Sequence, residues 1–196
     1  MTLAVGAWLS VRSLHDWKEA SAAMKVAAPL GMVVVGLAVT LGLAKSGEVL
    51  KGRGGWPAAA VGWVMAFAAS QVIIIGCSVQ NAAFTAAGIA AVFGVAGVAG
   101  LITKRVLTGP GLLAAAGVAL TGLVFFGFAQ GVGTNGPMAL YAGLLTAAAW
   151  GPVAAVKVLK ERGRGWAGAL AAAAPAMAAV GAAVIISPPW GSGEYE

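Results

Sequence analysis

The chain has 196 residues, of which 60% are hydrophobic and only 9% charged, with a formal net charge of +6. A soluble domain carries roughly 25% charged residues, so too few remain here to cover a water-facing surface. The apolar content excludes a disordered chain, and the absence of a Gly-x-y period excludes a collagen-like fibre despite 30 glycines. The single cysteine, Cys77, excludes an internal disulfide, and no Cys/His cluster offers a metal site.

Residues 1–24 are too charged to span a bilayer, with Arg12, Asp16, Lys18 and Glu19 interrupting any apolar run. No basic residue precedes Arg12, so the segment does not read as a signal peptide. Ala4, Trp8, Val11 and Leu14 recur at helical spacing, which predicts an amphipathic helix lying in the membrane interface.

From there the charges mark the map. Residues 54–103 and 106–156 contain no Asp, Glu, Lys, Arg or His, and each stretch is about 50 residues long. A helical span needs roughly 20 apolar residues, so each stretch holds two spans and a short turn. The six predicted spans are Val26–Ala44, Trp56–Gly76, Ala82–Thr103, Leu112–Gln130, Met138–Val156 and Trp166–Ile186. The uncharged turns fall at Cys77–Asn81 and Gly131–Pro137, the most polar and Gly/Asn-rich points available. Pro57 and Pro137 stand at helix starts, where a missing N–H costs nothing. Trp56, Trp166 and Trp190 stand at interfaces, and Pro188-Pro189 opens a short acidic tail over residues 188–196. The expected fold is therefore all-α, a six-helix transmembrane domain over residues 25–187.

A repeat refines this expectation. Val49-Leu50-Lys51-Gly52-Arg53-Gly54-Gly55-Trp56 matches Val158-Leu159-Lys160-Glu161-Arg162-Gly163-Arg164-Gly165-Trp166 with one insertion, and Val106–Leu112 is a weaker copy. Each copy precedes an Ala-rich span, which predicts three tandem helical hairpins over about 25–78, 82–130 and 138–187. The three hairpin turns hold Lys45, Lys51, Arg53, Lys104, Arg105, Lys157, Lys160, Arg162 and Arg164 against Glu48 and Glu161, a net +7. The other side holds Arg12, Lys18 and Lys25 against Asp16, Glu19, Glu194 and Glu196, a net −1. The positive-inside rule then places the basic turns in the cytoplasm and both termini outside a plasma or inner membrane.

Chemistry is sparse. No predicted span carries an ionisable residue at mid-depth, so a stored proton has no place to sit and any solute movement would be proton-independent. His15 lies outside the spans, and the serines have no acid or imidazole patterned to activate them. No cofactor is expected. Three features remain. Small-residue faces suited to helix packing are formed by Gly94, Gly97 and Gly100, by Gly127 and Gly131, and by Gly168 with Ala172 and Ala176; Gly47 lies off such a face. Polar residues gather at the two uncharged turns, with Ser70, Gln71, Ser78, Gln80, Asn81 and Thr85 at one and Gln130, Thr134 and Asn135 at the other, and suggest a shallow polar vestibule. Pro152 and Pro175 should kink the last two spans and free the carbonyls of Ala148 and Ala171.

These features point to a non-catalytic membrane subunit. It would pack through Gly/Ala faces against copies of itself or other membrane subunits, with the bilayer as surroundings and no nucleic-acid partner. The alternative is a small channel or proton-independent transporter lined by Gln71, Asn81, Gln130 and Asn135.

Overall fold

The computed structural model describes residues 22–51, 56–130, 138–158 and 164–186. The expected interfacial segment, the acidic tail and the Gly131–Pro137 turn lie outside the described residues, apart from the first turn of α1. Six helices follow one another: α1 Ala22–Leu50, α2 Pro57–Cys77, α3 Gln80–Thr103, α4 Pro110–Gln130, α5 Met138–Val158 and α6 Arg164–Ile186. All six are long and apolar enough to cross a membrane. In hydrocarbon every backbone N–H and C=O must be satisfied within the segment, and a helix does this without help from neighbours.

The helix ends have local causes. Pro57 and Pro110 begin α2 and α4, where the missing N–H would be unpaired in any case. Ser78 and Lys104 end α2 and α3 in left-handed conformation at φ 57° and φ 55°. Neither is glycine, so each reversal costs about 1 kcal/mol. At Lys104 the ammonium also meets the negative end of the α3 dipole.

Helix α1 runs beyond the expected end at Ala44, through Lys45 and Glu48 to Leu50. The charged residues stay on its outer side, where Lys45 Nζ meets Glu48 Oε2 at 2.7 Å. On the inner side Ser46 and Leu50 are completely buried. Composition alone reads this stretch as a turn; packing on one face makes it helix.

The packing order corrects the expectation of three tandem hairpins. Helix α1 lies along α4 and α5 and barely touches α2, and α3 lies along α2 and only lightly against α4. Of the three expected pairs, only α5 and α6 pack closely. Only Ser78 and Val79 separate α2 from α3, which forces them together as antiparallel neighbours. Helix α2 is central and contacts all five others, whereas α3 is the most peripheral. The tryptophans that end the two matched copies of the repeat meet: the rings of Trp56 and Trp166 lie 4.4 Å apart.

Glycine lies at several of the closest crossings. A Cβ added at Gly117 would lie 2.9 Å from Thr40 Cα, and one at Gly47 would lie 2.7 Å from Pro110 Cα, so α1 and α4 touch backbone to backbone at two levels. Gly62 makes room for the Phe93 ring between α2 and α3. The expected packing glycines face partners within the chain: Gly94 faces Trp63, Gly97 faces Ala59, Gly127 faces Ile73 and Gly168 faces Leu50, while Gly100 is buried. Gly131 lies outside the described residues. Gly47, expected to lie off any packing face, has a tighter surrounding than Gly127, whose added Cβ would come no closer than 3.1 Å, to Ile73 Cγ2. The cause is again the unforeseen last turns of α1, which carry Gly47 against the start of α4.

Candidate functional site

The residues expected to line a polar vestibule do not come together among the described side chains. Gln80 and Asn81, at the start of α3, are exposed and face away from the bundle. Thr85 spends its hydroxyl on the Asn81 carbonyl at 2.8 Å, a bond within its own helix. Ser70 is buried and Gln71 half-buried on α2, one on either side of the same turn. The side chain of Gln130 and all of Thr134 and Asn135 lie outside the described residues. The tight turn between α2 and α3 explains the outcome. A two-residue link leaves the first turn of α3 at the rim of the bundle, so its amides point outward.

The interior holds a small apolar cavity between α1, α2, α4 and α5. Its wall includes Val39, Met65, Leu120, Val124, Phe125 and Leu145, with Thr121 as the one polar residue. Its volume of about 20 Å³ is close to what a single water requires. A water held there would need two or more polar partners. The Thr121 hydroxyl already donates to the Gly117 carbonyl at 2.7 Å. The cavity has the chemistry of a packing defect among branched side chains, and a hydrated solute would find neither room nor hydrogen-bond partners in it.

The most organised polar chemistry joins α1 to α5 near the proline kinks, and sequence reasoning missed it. Ser46 Oγ donates to the Ala149 carbonyl at 2.7 Å. Two turns along, Trp150 Nε1 donates to the Ala38 carbonyl at 2.9 Å. Gly42 permits the second bond, since a Cβ there would lie 2.8 Å from the indole. Interhelical hydrogen bonds in a membrane contribute about 0.6–2 kcal/mol each. Ser46 was hidden because the charged residues around it read as turn. The Trp150 indole had no sequence signal beyond its position one turn from Gly42's level.

Pro152 and Pro175 are both inside their helices, as expected. Pro152 is fully buried, and its ring lies beside Gly168, which in turn faces Leu50 of α1. Pro175 cannot donate to Ala171, and that carbonyl abuts Gly151 of α5 so closely that no Cβ would fit between them. The freed carbonyl is thus covered by a neighbouring helix instead of lining a solute site. The two intrahelical prolines stand beside close helix contacts, with α5 and α6 meeting at Gly151 and Ala171 and Pro152 beside Gly168.

Two buried hydroxyls, those of Thr40 and Thr108, have no hydrogen-bond partner among the described residues. Thr40 sits at the α1–α4 crossing under Gly117. Thr108 sits in the link between α3 and α4. Among the described residues no group of three His, Cys, Asp or Glu side chains is placed to hold a metal ion. No family model of known proteins matches the chain, and no curated protein or solved structure is significantly similar to it.

Proposed function

We propose that this chain is a non-catalytic membrane subunit that associates through outward-facing small residues with copies of itself or with other membrane subunits. The observation that carries the reading is which glycines the fold leaves uncovered. A Cβ added at Gly88 of α3 or Gly143 of α5 would meet nothing within 4 Å. Gly88 has exposed Ala87 and Ala91 beside it, and Gly143 continues along α5 to exposed Ala147 and Ala154. In lipid, apolar side chains gain little from leaving the solvent, so association depends on close backbone approach, which small residues permit. The apolar lining of the interior cavity supports the same reading over a solute pathway. So does the use of the Ser46, Thr121 and Thr146 hydroxyls in bonds to carbonyls, which leaves them no part in chemistry. The charge difference between the two ends supports a cytoplasmic basic end with both termini outside.

The test is the mass of the detergent-solubilised protein, combined with oxidative cross-linking of Gly88→Cys and Gly143→Cys. The native Cys77 is buried and can stay. A mass above that of one chain, or a complex that brings down other membrane proteins, with a cross-link at one of the two positions, supports the proposal. A monomer without cross-links that conducts a small polar solute in proteoliposomes overturns it in favour of a channel.

A further inference from the structure

The corner between α3 and α4 combines three properties that no other described part of the molecule shares. First, it is cationic without an acidic partner. Lys104 and Arg105 are both exposed, and among the described residues the only ion pair is Lys45 with Glu48. Lys51 follows the last residue of α1, whose Gly47 lies against Pro110 at the start of α4. Second, the cations are set among exposed apolar side chains. Ile102, near the end of α3, is 77% exposed, and Leu107, in the link to α4, is 47% exposed. Third, the corner has unspent donors. Thr108 is only 1% exposed yet its hydroxyl has no partner. The first turn of α4 uses Leu113 N–H on the Gly109 carbonyl and leaves the N–H groups of Gly111 and Leu112 ahead of the helical ladder.

We infer that this corner is a docking surface for an anionic phospholipid, the phosphate-bearing headgroup lying at Lys104 and Arg105 and the acyl chains continuing along the apolar face of α3. Charge complementarity selects the headgroup. The positive end of the α4 dipole adds to the attraction, as helix N-termini do for phosphates. A water-soluble partner does not explain why Ile102 and Leu107 are left bare beside the charges, whereas a lipid uses both halves of the surface. The inference rests on the six helices spanning a bilayer and is independent of whether the chain self-associates.

The full chain, purified in detergent, is loaded with an equal mixture of phosphatidylglycerol and phosphatidylcholine, and the lipid retained per chain is measured by native mass spectrometry. Retention should favour phosphatidylglycerol. Lys104→Gln/Arg105→Gln should cut that preference by about five-fold per cation removed. Lys157→Gln, an exposed cation at the end of α5, should leave it within about two-fold. Millimolar inorganic phosphate should not displace the lipid. Equal losses in the Lys157 variant would reduce the effect to general surface charge and overturn the site, as would absence of any preference. Displacement by inorganic phosphate would overturn the lipid in favour of a soluble phosphate. Retention is counted per chain, so a monomeric protein that passes this test would defeat the assembly proposal while leaving the lipid surface intact.

Discussion

Replacing Gly151 by alanine tests the tightest point of the bundle. The new methyl group would have to occupy the space held by the Ala171 carbonyl oxygen, with the carbonyl carbon 2.7 Å away and Ala172 N at 3.2 Å. All three atoms are backbone, so no side-chain rotation can relieve the clash. An ordinary C···O contact is about 3.3 Å or more, so α5 and α6 must separate by on the order of 1 Å. A gap of that size forfeits a quarter to a half of each contact's dispersion energy. The loss falls on a layer where Ala148, Ala149, Ala172 and Ala176 are all fully buried. Pro152 is fully buried next to Gly151, which leaves little room for relaxation there. The expected cost is about 1–3 kcal/mol, the range for overpacking a tight core. Gly122→Ala is the control, since its methyl group meets open space and a helix with one glycine fewer gains about 0.5–1 kcal/mol at most. Both are measured by reversible unfolding in mixed micelles with increasing SDS. If Gly151→Ala unfolds at the wild-type midpoint, or Gly122→Ala is equally damaged, the close approach of α5 and α6 is wrong.

Further outcomes follow from the same packing. Gly47→Leu should destabilise more than Gly127→Leu, because its side chain meets the Pro110 backbone whereas Gly127 meets only side-chain atoms of Ile73 and Cys77; the unfolding midpoints rank the two. Ser46→Ala and Trp150→Phe should each cost about 0.6–2 kcal/mol through loss of an α1–α5 hydrogen bond. The control Thr85→Val, which loses only a bond within an exposed turn, should stay within about 0.5 kcal/mol of wild type. Glu48→Gln should change stability by less than about 1 kcal/mol, because Lys45 and Glu48 are more than half exposed and salt and water screen the pair. Solute flux that vanished in Glu48→Gln and depended on an imposed pH difference would contradict a bundle without an internal proton site.

The vestibule and the hairpins show where one-dimensional reasoning lost its grip. Polar residues at the same depth were grouped because they are near in sequence to turns at one end. Yet depth says nothing about direction around a helix axis, and these helices are apolar on almost every side, so no amphipathic stripe reveals which face turns inward. Gln80 and Asn81 point out for that reason, while Ser46, in a stretch resembling a turn, points in. The hairpin order failed similarly. A turn sequence tells that two spans are joined and not whether they stay in contact, since the residues linking α1 to α2 are numerous enough to let α1 settle against α4 and α5. Ser78-Val79 is too short to allow such freedom, and there the chain had no choice.

What the sequence determined by itself is the six helical spans, the proline kinks and the concentration of charge at one end. Each follows from transfer of a local segment between water and hydrocarbon, an energy that depends on composition over about 20 residues and not on neighbours. The structure alone decided which glycines are crossings and which are left uncovered. Gly47 and Gly151 are surrounded by backbone, whereas Gly88 and Gly143 meet nothing, although all four stand in apolar or helical stretches that look alike. In lipid the difference between a buried and a bare helix face is a matter of shape more than polarity, so the choice among faces appears only when the helices are packed together.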